Sequence, residues 1–111
     1  MGESLNQMKI GQINVTALSA GQVSMDGGAM FGVVPQGLWS RLIQPDEQNR
    51  IRLDLRCLLV ETPDETVLIE TGFGGKVTER LRAIYALEEE PGLTAELARA
   101  GKTPADIDRV I

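Results

Sequence analysis

The residues whose types and spacing could support chemistry gather in one short stretch, residues 66 to 75, TVLIETGFGG. Its apolar run suits a strand buried on both faces, and the glycines that follow allow the backbone to turn sharply or to approach a ligand closely. Glu70, at the end of the strand, could be a metal ligand, a general base or an acceptor that holds a metal ligand in place. The interpretation that the pattern favours is an acid that accepts hydrogen bonds from the turn amides of residues 72 to 75, as turn acids often do.

The same glycines could cradle a phosphate at the start of a helix, but their spacing argues against it. A dinucleotide-binding fingerprint that begins at Gly72 requires a glycine at position 77, where the chain has Val77. A phosphate-binding loop requires Ser or Thr after Gly75 and Lys76, and the same valine stands there. The pattern therefore fails both nucleotide-binding motifs and favours a structural turn.

Further candidates for chemistry lie outside this stretch. Cys57 falls on the continuous apolar face of a predicted strand, which favours a small buried hydrophobe over a nucleophile because the chain has no histidine to activate a thiol. Met25, Met30, Phe31 and Trp39 could line an apolar ligand pocket, or they could pack beneath their own loop. The sequence leaves both alternatives open for these four side chains.

Composition narrows the function further. The 111 residues carry a net charge of −5 with no basic run, which argues against binding to nucleic-acid phosphates or to an anionic membrane surface. The N-terminus lacks the apolar run of a signal peptide, and one cysteine allows no internal disulfide, so we expect a cytoplasmic protein. The sequence contains no histidine, so the chain cannot assemble the usual imidazole site of a zinc hydrolase from its own residues.

The elements before the glycine-rich turn are predicted as mostly β. Residues 1 to 8 are assigned to a flexible N-terminus, and residues 9 to 19 alternate as a half-buried strand with a bulge at Gly11. We expect a turn at residues 20 and 21, then a loop or bulged hairpin over residues 22 to 31. A long connection follows, with one helical turn at residues 38 to 43.

The second half of the chain combines a hairpin with helices. Residues 50 to 62 alternate strongly, and the tight turn after them makes the next strand an antiparallel partner. Helices are predicted over residues 76 to 87 and over residues 94 to 100, with Thr94 as N-cap and Gly101 just past the end. Another start signal lies at residues 103 to 106, and a new buried strand begins at Arg109. The fold class predicted from this order is α+β, with an antiparallel or mixed sheet followed by helices on one face.

Residues 25 to 39, MDGGAMFGVVPQGLW, resemble the N-terminal region of bacterial metallo-β-lactamase-fold hydrolases of the quorum-quenching lactonase group. Residues 50 to 60, the element of residues 68 to 72 and residues 103 to 111 fit the same family in the same order. In that family an Asp-Thr-Gly element precedes the metal-binding motif, and here Glu70 stands in place of the aspartate. The resemblance thus covers nearly the whole chain from Lys9.

The resemblance implies an αβ/βα sandwich that holds two metal ions, usually zinc, which activate a hydroxide to open a lactone or a related ester. It implies that residues 9 to 111 are the N-terminal half of such a domain, ending before the His-x-His-x-Asp-His metal motif. Glu70, Thr71 and Gly72 then occupy the turn beside the metal site, while Met25, Asp26, Met30 and Phe31 belong to a loop at the substrate entrance. No catalytic residue and no metal ligand is assigned to this chain.

Two expectations about the isolated chain follow. As the N-terminal portion of a zinc-dependent lactonase-like hydrolase it should bind no zinc and be inactive alone, and it should self-associate through a sheet face left exposed. The alternative is a stand-alone small α+β binding or interaction module that works without metal. The reading frame beyond Ile111 separates the two hypotheses.

Overall fold

Within residues 6 to 111, which the computed structural model describes, five strands form one mixed sheet in the order β1-β2-β3-β4-β5. The strands are β1 Asn6–Ile10, β2 Ile13–Asp26, β3 Arg50–Glu61, β4 Thr66–Ile69 and β5 Arg109–Val110. The helices are α1 Gly27–Phe31, α2 Gln36–Trp39, α3 Glu79–Ile84 and α4 Leu93–Arg99, and a 3-10 helix spans Pro104–Asp106. The sheet is antiparallel except for the parallel pair of β4 and β5, which confirms the mixed α+β class.

The first strand predicted from the sequence is in fact two strands. Residues 9 to 19 were expected to be continuous with a bulge at Gly11, but Gly11 (φ +59°) opens a two-residue hairpin turn, across which Ile10 faces Ile13. The change of hydrophobic phase at this glycine therefore marks a reversal of the chain. Residues 6 to 8, assigned to a flexible terminus, form the start of β1, and residues 1 to 5 lie outside the described part of the chain.

The turn predicted at Ala20 and Gly21 is a β-bulge inside a long strand. The register of β2 against β3 shifts between Ser19 and Gln22, so that β2 carries one extra residue and then continues to its end. Gly21 has φ +125°, and a Cβ at this position would lie 2.2 Å from the carbonyl oxygen of Glu88. The glycine is needed here because two backbone segments approach each other closely, and not because the chain turns.

The end of β2 and a short helix replace the loop or bulged hairpin predicted over residues 22 to 31. The strand runs on to Asp26, whose Oδ2 accepts a hydrogen bond from the Ala29 amide at 2.8 Å and so caps α1. Gly27 is buried against the ring of Trp39. A Cβ at this position would lie 2.3 Å from the indole, so only glycine fits there. The glycine pair that looked unsuitable for a strand interior is therefore a helix start packed on an aromatic ring.

The hairpin of β3 and β4 matches its prediction closely. Leu58 pairs with Ile69 and Glu61 with Thr66, and the Thr62 side chain accepts hydrogen bonds from turn amides between them. One face of β3 reads as apolar throughout, as the alternation indicated, with Ile51, Cys57 and Leu59 buried. This hairpin fixes where the chain leaves β4 and enters the glycine-rich turn.

The helices form where the sequence places them but with different ends. The helix predicted over residues 76 to 87 is confined to α3, because the Thr78 side chain accepts the Leu81 amide at 3.2 Å and starts the helix there. Residues 94 to 100 are predicted correctly as helix, although α4 begins at Leu93 after Gly92, without Thr94 as its cap. The helical turn expected at residues 38 to 43 is α2, shifted towards the N-terminus. No helix of the described residues is long and apolar enough to cross a membrane.

The last elements of the chain lead into β5, the edge strand that pairs with β4. The start signal at residues 103 to 106 is a capping box, in which Asp106 accepts the Thr103 amide at 2.7 Å. The strand predicted from Arg109 is β5, but its residues are exposed where burial was expected, with Val110 at 57 %. The Glu70 amide donates to the Ile111 carbonyl at 2.9 Å, which extends the pairing into the glycine-rich turn.

Helix α4 covers one face of the sheet, and the opposite face is more exposed. The helix α4 packs on one face, where Leu97 meets Leu18, Cys57, Leu59 and Leu68 in the main hydrophobic cluster. By register, the opposite side presents an apolar surface that we call the open face: Met8, Val15, Ala17, Leu58, Val60, Val67 and Ile69. Apart from Val67 these residues are partly or largely exposed.

Candidate functional site

The glycine-rich turn is held at the end of β4 by backbone and side-chain bonds. Its first residue, Glu70, donates its amide to Ile111 and accepts the Thr71 amide on Oε1 at 3.1 Å. Glu70 has φ +71°, a conformation that costs a residue with a Cβ about 1 to 2 kcal/mol. Strain of this kind at an exposed acid next to a cavity is a reason to suspect a functional role.

The contacts of Glu70 do not distinguish between a metal ligand, a general base and a hydrogen-bond acceptor. Its carboxylate serves the amide of its neighbour Thr71, whereas the sequence analysis expected the amides of residues 72 to 75. The residue is exposed, so the carboxylate remains open to a further partner. The part that the sequence analysis gave to Glu70, Thr71 and Gly72 therefore stays a prediction.

Gly72 brings the turn into contact with the bulge of β2. It has φ +70°, and a Cβ there would lie 2.6 Å from the Cβ of Ala20. No side chain fits at that separation, since carbon atoms in contact lie about 3.5 to 4.0 Å apart. Glycine is thus required by the backbone conformation and by the contact together.

A cavity of about 400 Å³ opens beside the turn, lined by Asp54, Leu55, Arg56, Glu70, Gly72 and Phe73. Asp54 accepts the hydroxyl of Ser19 at 2.7 Å and forms an ion pair with Arg56 at 3.1 Å. The sequence analysis missed Asp54 because an acid on the polar side of a strand is ordinarily solvated. No local pattern could have found it, because its partner Ser19 lies 35 residues earlier in the chain.

Another cavity, of about 390 Å³, lies on the other side of the turn. Its lining comes from the turn, from the bulge and from the start of α4: Ala20, Thr71, Gly74, Gly75, Glu89, Pro91, Gly92, Leu93, Thr94 and Ala95. Residues of the turn therefore line both concave surfaces. Its geometry depends on the bulge beneath it and on the segment that leads into α4.

The residues predicted for a substrate loop lie around α1, at the end of β2. Met25 is half-buried, Met30 is 44 % exposed, and Phe31 stacks on Trp39 with ring centroids 4.9 Å apart. Asp26 is occupied as the cap of α1. Among the described residues no hydrogen bond, ion pair or ring contact joins this group directly to the glycine-rich turn, and its place in a substrate loop stays a prediction.

Cys57 is buried, with 1 % of its surface exposed, as predicted for a small hydrophobe. Burial raises the pKa of its thiol, and the nearby carboxylates of Glu70 and Asp54 raise it further. A thiol in this state is a poor nucleophile and a poor metal ligand.

The described residues lack the donor side chains of a zinc centre. Among residues 6 to 111 no group of three or more His, Cys, Asp or Glu side chains is arranged to hold an ion. The sequence has no histidine, and Cys57 is buried in the core. These residues do not by themselves fit the two-zinc centre that the resemblance implies, and no metal-dependent step is assigned to them.

Comparison with solved structures gives clear similarities. A probable metal-dependent hydrolase from Staphylococcus aureus is 40 % identical over 93 % of this chain, with a TM-score of 0.86. The hydrolase AbOPH of the β-lactamase superfamily is 19 % identical over 99 % of the chain, with a TM-score of 0.65. AidC, a dizinc quorum-quenching lactonase in complex with the product N-hexanoyl-L-homoserine, is 21 % identical over 96 % of the chain, with a TM-score of 0.66.

These similarities have defined limits. The chain spans 38 % of the Staphylococcus aureus protein, 35 % of AbOPH and 34 % of AidC. The last two are similar in fold alone. No protein-family model matches the chain, and no curated protein matches it either.

Proposed function

We propose that this chain, which has the fold of part of a metal-dependent hydrolase of the β-lactamase superfamily, is the N-terminal portion of a zinc-dependent hydrolase that acts on a lactone or a related ester. In this proposal the chain supplies half of the sheet sandwich, the turn beside the metal centre and part of the substrate pocket. The metal ligands come from polypeptide that this sequence does not contain. The chain by itself is inactive.

The observation that carries the proposal is the 40 % identity to a probable metal-dependent hydrolase over almost the whole chain. The strained backbone of Glu70 supports it, since residues held in such conformations cluster at active sites and ligand-binding segments. The cavity beside Glu70 gives the turn a place to meet a ligand.

The substrate class rests on AidC, a lactonase solved with the product N-hexanoyl-L-homoserine, whose acyl chain is apolar. The apolar side chains of Met25, Met30 and Phe31, next to the polar cap at Asp26, suit the entrance to a pocket for a substrate with an apolar portion. Residence in the cytoplasm and the lack of a nucleic-acid or membrane partner remain predictions from composition.

The experiment is a chimera in which this chain replaces the matched 38 % of the Staphylococcus aureus protein. We expect it to bind zinc and to hydrolyse a lactone or ester from a panel of both. Glu70→Ala should weaken zinc affinity about 10- to 100-fold, because outer partners of metal ligands carry effects of that size. Glu70→Asp should preserve activity, since it keeps a carboxylate and aspartate tolerates positive φ better.

Glu65→Ala is the matched control, because Glu65 is a neighbouring acid whose partner is the exposed Arg109 on β5. It should leave zinc affinity unchanged. A chimera that binds zinc but hydrolyses no lactone or ester would refute the proposed function. A lowered melting temperature with unchanged zinc affinity in Glu70→Ala would instead reduce Glu70 to an acceptor for the turn backbone.

A further inference from the structure

Glu96 is a buried acid on α4 that no part of the proposed function uses. Its exposed fraction is 5 %, and glutamate is seldom buried to this extent unless it is paired. Oε1 accepts the backbone amide of Ser19 at 3.0 Å, and Oε2 accepts Nη1 of Arg99, one helical turn along, at 2.6 Å. The carboxylate therefore joins α4 to the sheet at one particular residue of β2.

The Ser19 amide lies where the strand ladder is interrupted. Among the described residues β1 pairs with β2 from Ile13 to Ala17 and so ends before Ser19. The ladder with β3 shifts immediately after Ser19, where the bulge begins. A strand amide at a bulge must find a partner outside the ladder, and the Glu96 side chain provides it.

The contact continues from Ser19 to the glycine-rich turn. The Ser19 hydroxyl donates to Asp54 and accepts the Gly21 amide at 3.2 Å, which fixes both ends of the bulge. Between them Ala20 presents the Cβ against which Gly72 is packed. A displacement of Ser19 is therefore expected to move Ala20. Gly72 should move with it, because the two residues are closely packed.

We propose that Glu96 is a positioning residue that sets the turn of residues 70 to 75 through the β2 bulge. It holds Ser19 from α4, the bulge holds Ala20, and Ala20 determines where Gly72 and its neighbours lie between the two cavities. The importance of this for catalysis rests on the proposed function. The positioning itself requires no activity and can be measured without any.

The test follows backbone amide resonances by NMR in the 111-residue chain carrying Leu58→Thr and Val60→Thr, two changes on the open face that should keep it from associating. In Glu96→Ala we expect hydrogen exchange at the Ser19 amide to accelerate about tenfold, as for the loss of one hydrogen bond of ordinary strength. The Thr71 and Gly72 resonances should move with it. Glu96→Gln should restore most of both, because its amide oxygen can still accept the Ser19 amide.

Glu61→Ala is the matched control. Glu61 forms an ion pair at 3.0 Å with Lys102, just past α4, so this variant also removes an acid that ties the α4 region to the sheet. It touches neither the bulge nor the turn, and it should leave the Gly72 resonance in place.

The proposal is overturned if Glu96→Ala changes the Ser19 amide while Thr71 and Gly72 move no more than in Glu61→Ala. If Glu96→Ala does not fold, Glu96→Gln decides, because its weaker acceptor should still shift the Ser19 and Gly72 amides together by smaller amounts. A change at Ser19 without one at Gly72 contradicts the proposal there too. Since no hydrolysis is measured, this outcome is independent of whether the proposed function is correct.

Discussion

Replacing Gly72 with alanine is expected to lower the free energy of unfolding by about 2 to 5 kcal/mol. Two effects add at this position. A residue with a Cβ at φ +70° costs about 1 to 2 kcal/mol, and the Cβ would overlap that of Ala20 at 2.6 Å. Overpacking of this kind adds about 1 to 3 kcal/mol. Against an ordinary domain stability of about 5 to 15 kcal/mol, the loss is large.

Gly74 offers a matched control in the same turn. Its φ is +75°, almost that of Gly72, but a Cβ there would meet nothing within 4 Å. Gly74→Ala should therefore show the conformational cost alone, about 1 to 2 kcal/mol. Denaturant unfolding of both variants measures the difference, which is the cost of the contact with the bulge.

A double-mutant cycle identifies the partner. Ala20→Gly removes the Cβ that Gly72→Ala would meet, so the double variant should recover most of the packing loss, while Ala20→Gly should give no recovery in Gly74→Ala. Equal losses in Gly72→Ala and Gly74→Ala, or no recovery in the cycle, would show that the turn does not rest on the bulge.

The second large effect concerns the open face. Leu58 and Val60 alternate with the fully buried Leu59, and a concavity of about 240 Å³ lined by Met8 and Leu58 among others lies on this side. An apolar surface of this kind favours association. We therefore expect the isolated chain to form oligomers and to bind a dye such as ANS, and the double variant Leu58→Thr/Val60→Thr to lose both properties.

Leu59→Thr is the control on the covered face. It should cost about 2 to 5 kcal/mol, because it replaces a core leucine packed against α4. The pair Leu58→Thr/Val60→Thr should cost much less, since both side chains are already partly exposed. Light scattering, dye fluorescence and thermal melts measure the three effects. A monodisperse monomer with a sharp melt and no dye binding would favour the stand-alone binding module.

The parts of the fold predictable from sequence were those governed by local pattern. The alternation of β3 and the short turn after it defined the hairpin with β4, and the Thr103 capping box was correct because capping involves residues close in sequence. The turn of residues 70 to 75 was located for the same reason: a strand, an acid and several glycines are adjacent in the chain.

The parts that could not be predicted depend on distant residues. Gly21 was predicted as part of a turn because Glu88, whose carbonyl oxygen leaves no room for a side chain there, is distant in the sequence. Gly27 looked out of place because the ring of Trp39 that covers it comes later in the chain. Glu96 gave no signal at all, since an acid in the first turn of a helix is ordinarily exposed.

Zinc retention by the isolated chain is the decisive measurement. The proposal is that this chain supplies part of the scaffold of a metal-dependent hydrolase and that other polypeptide supplies the metal ligands. After dialysis against zinc and then against buffer, elemental analysis should find far less than one ion per chain, because the described residues offer no cluster of donors and thiolates or imidazoles are what zinc prefers. Retention of one or two zinc ions per chain would contradict it.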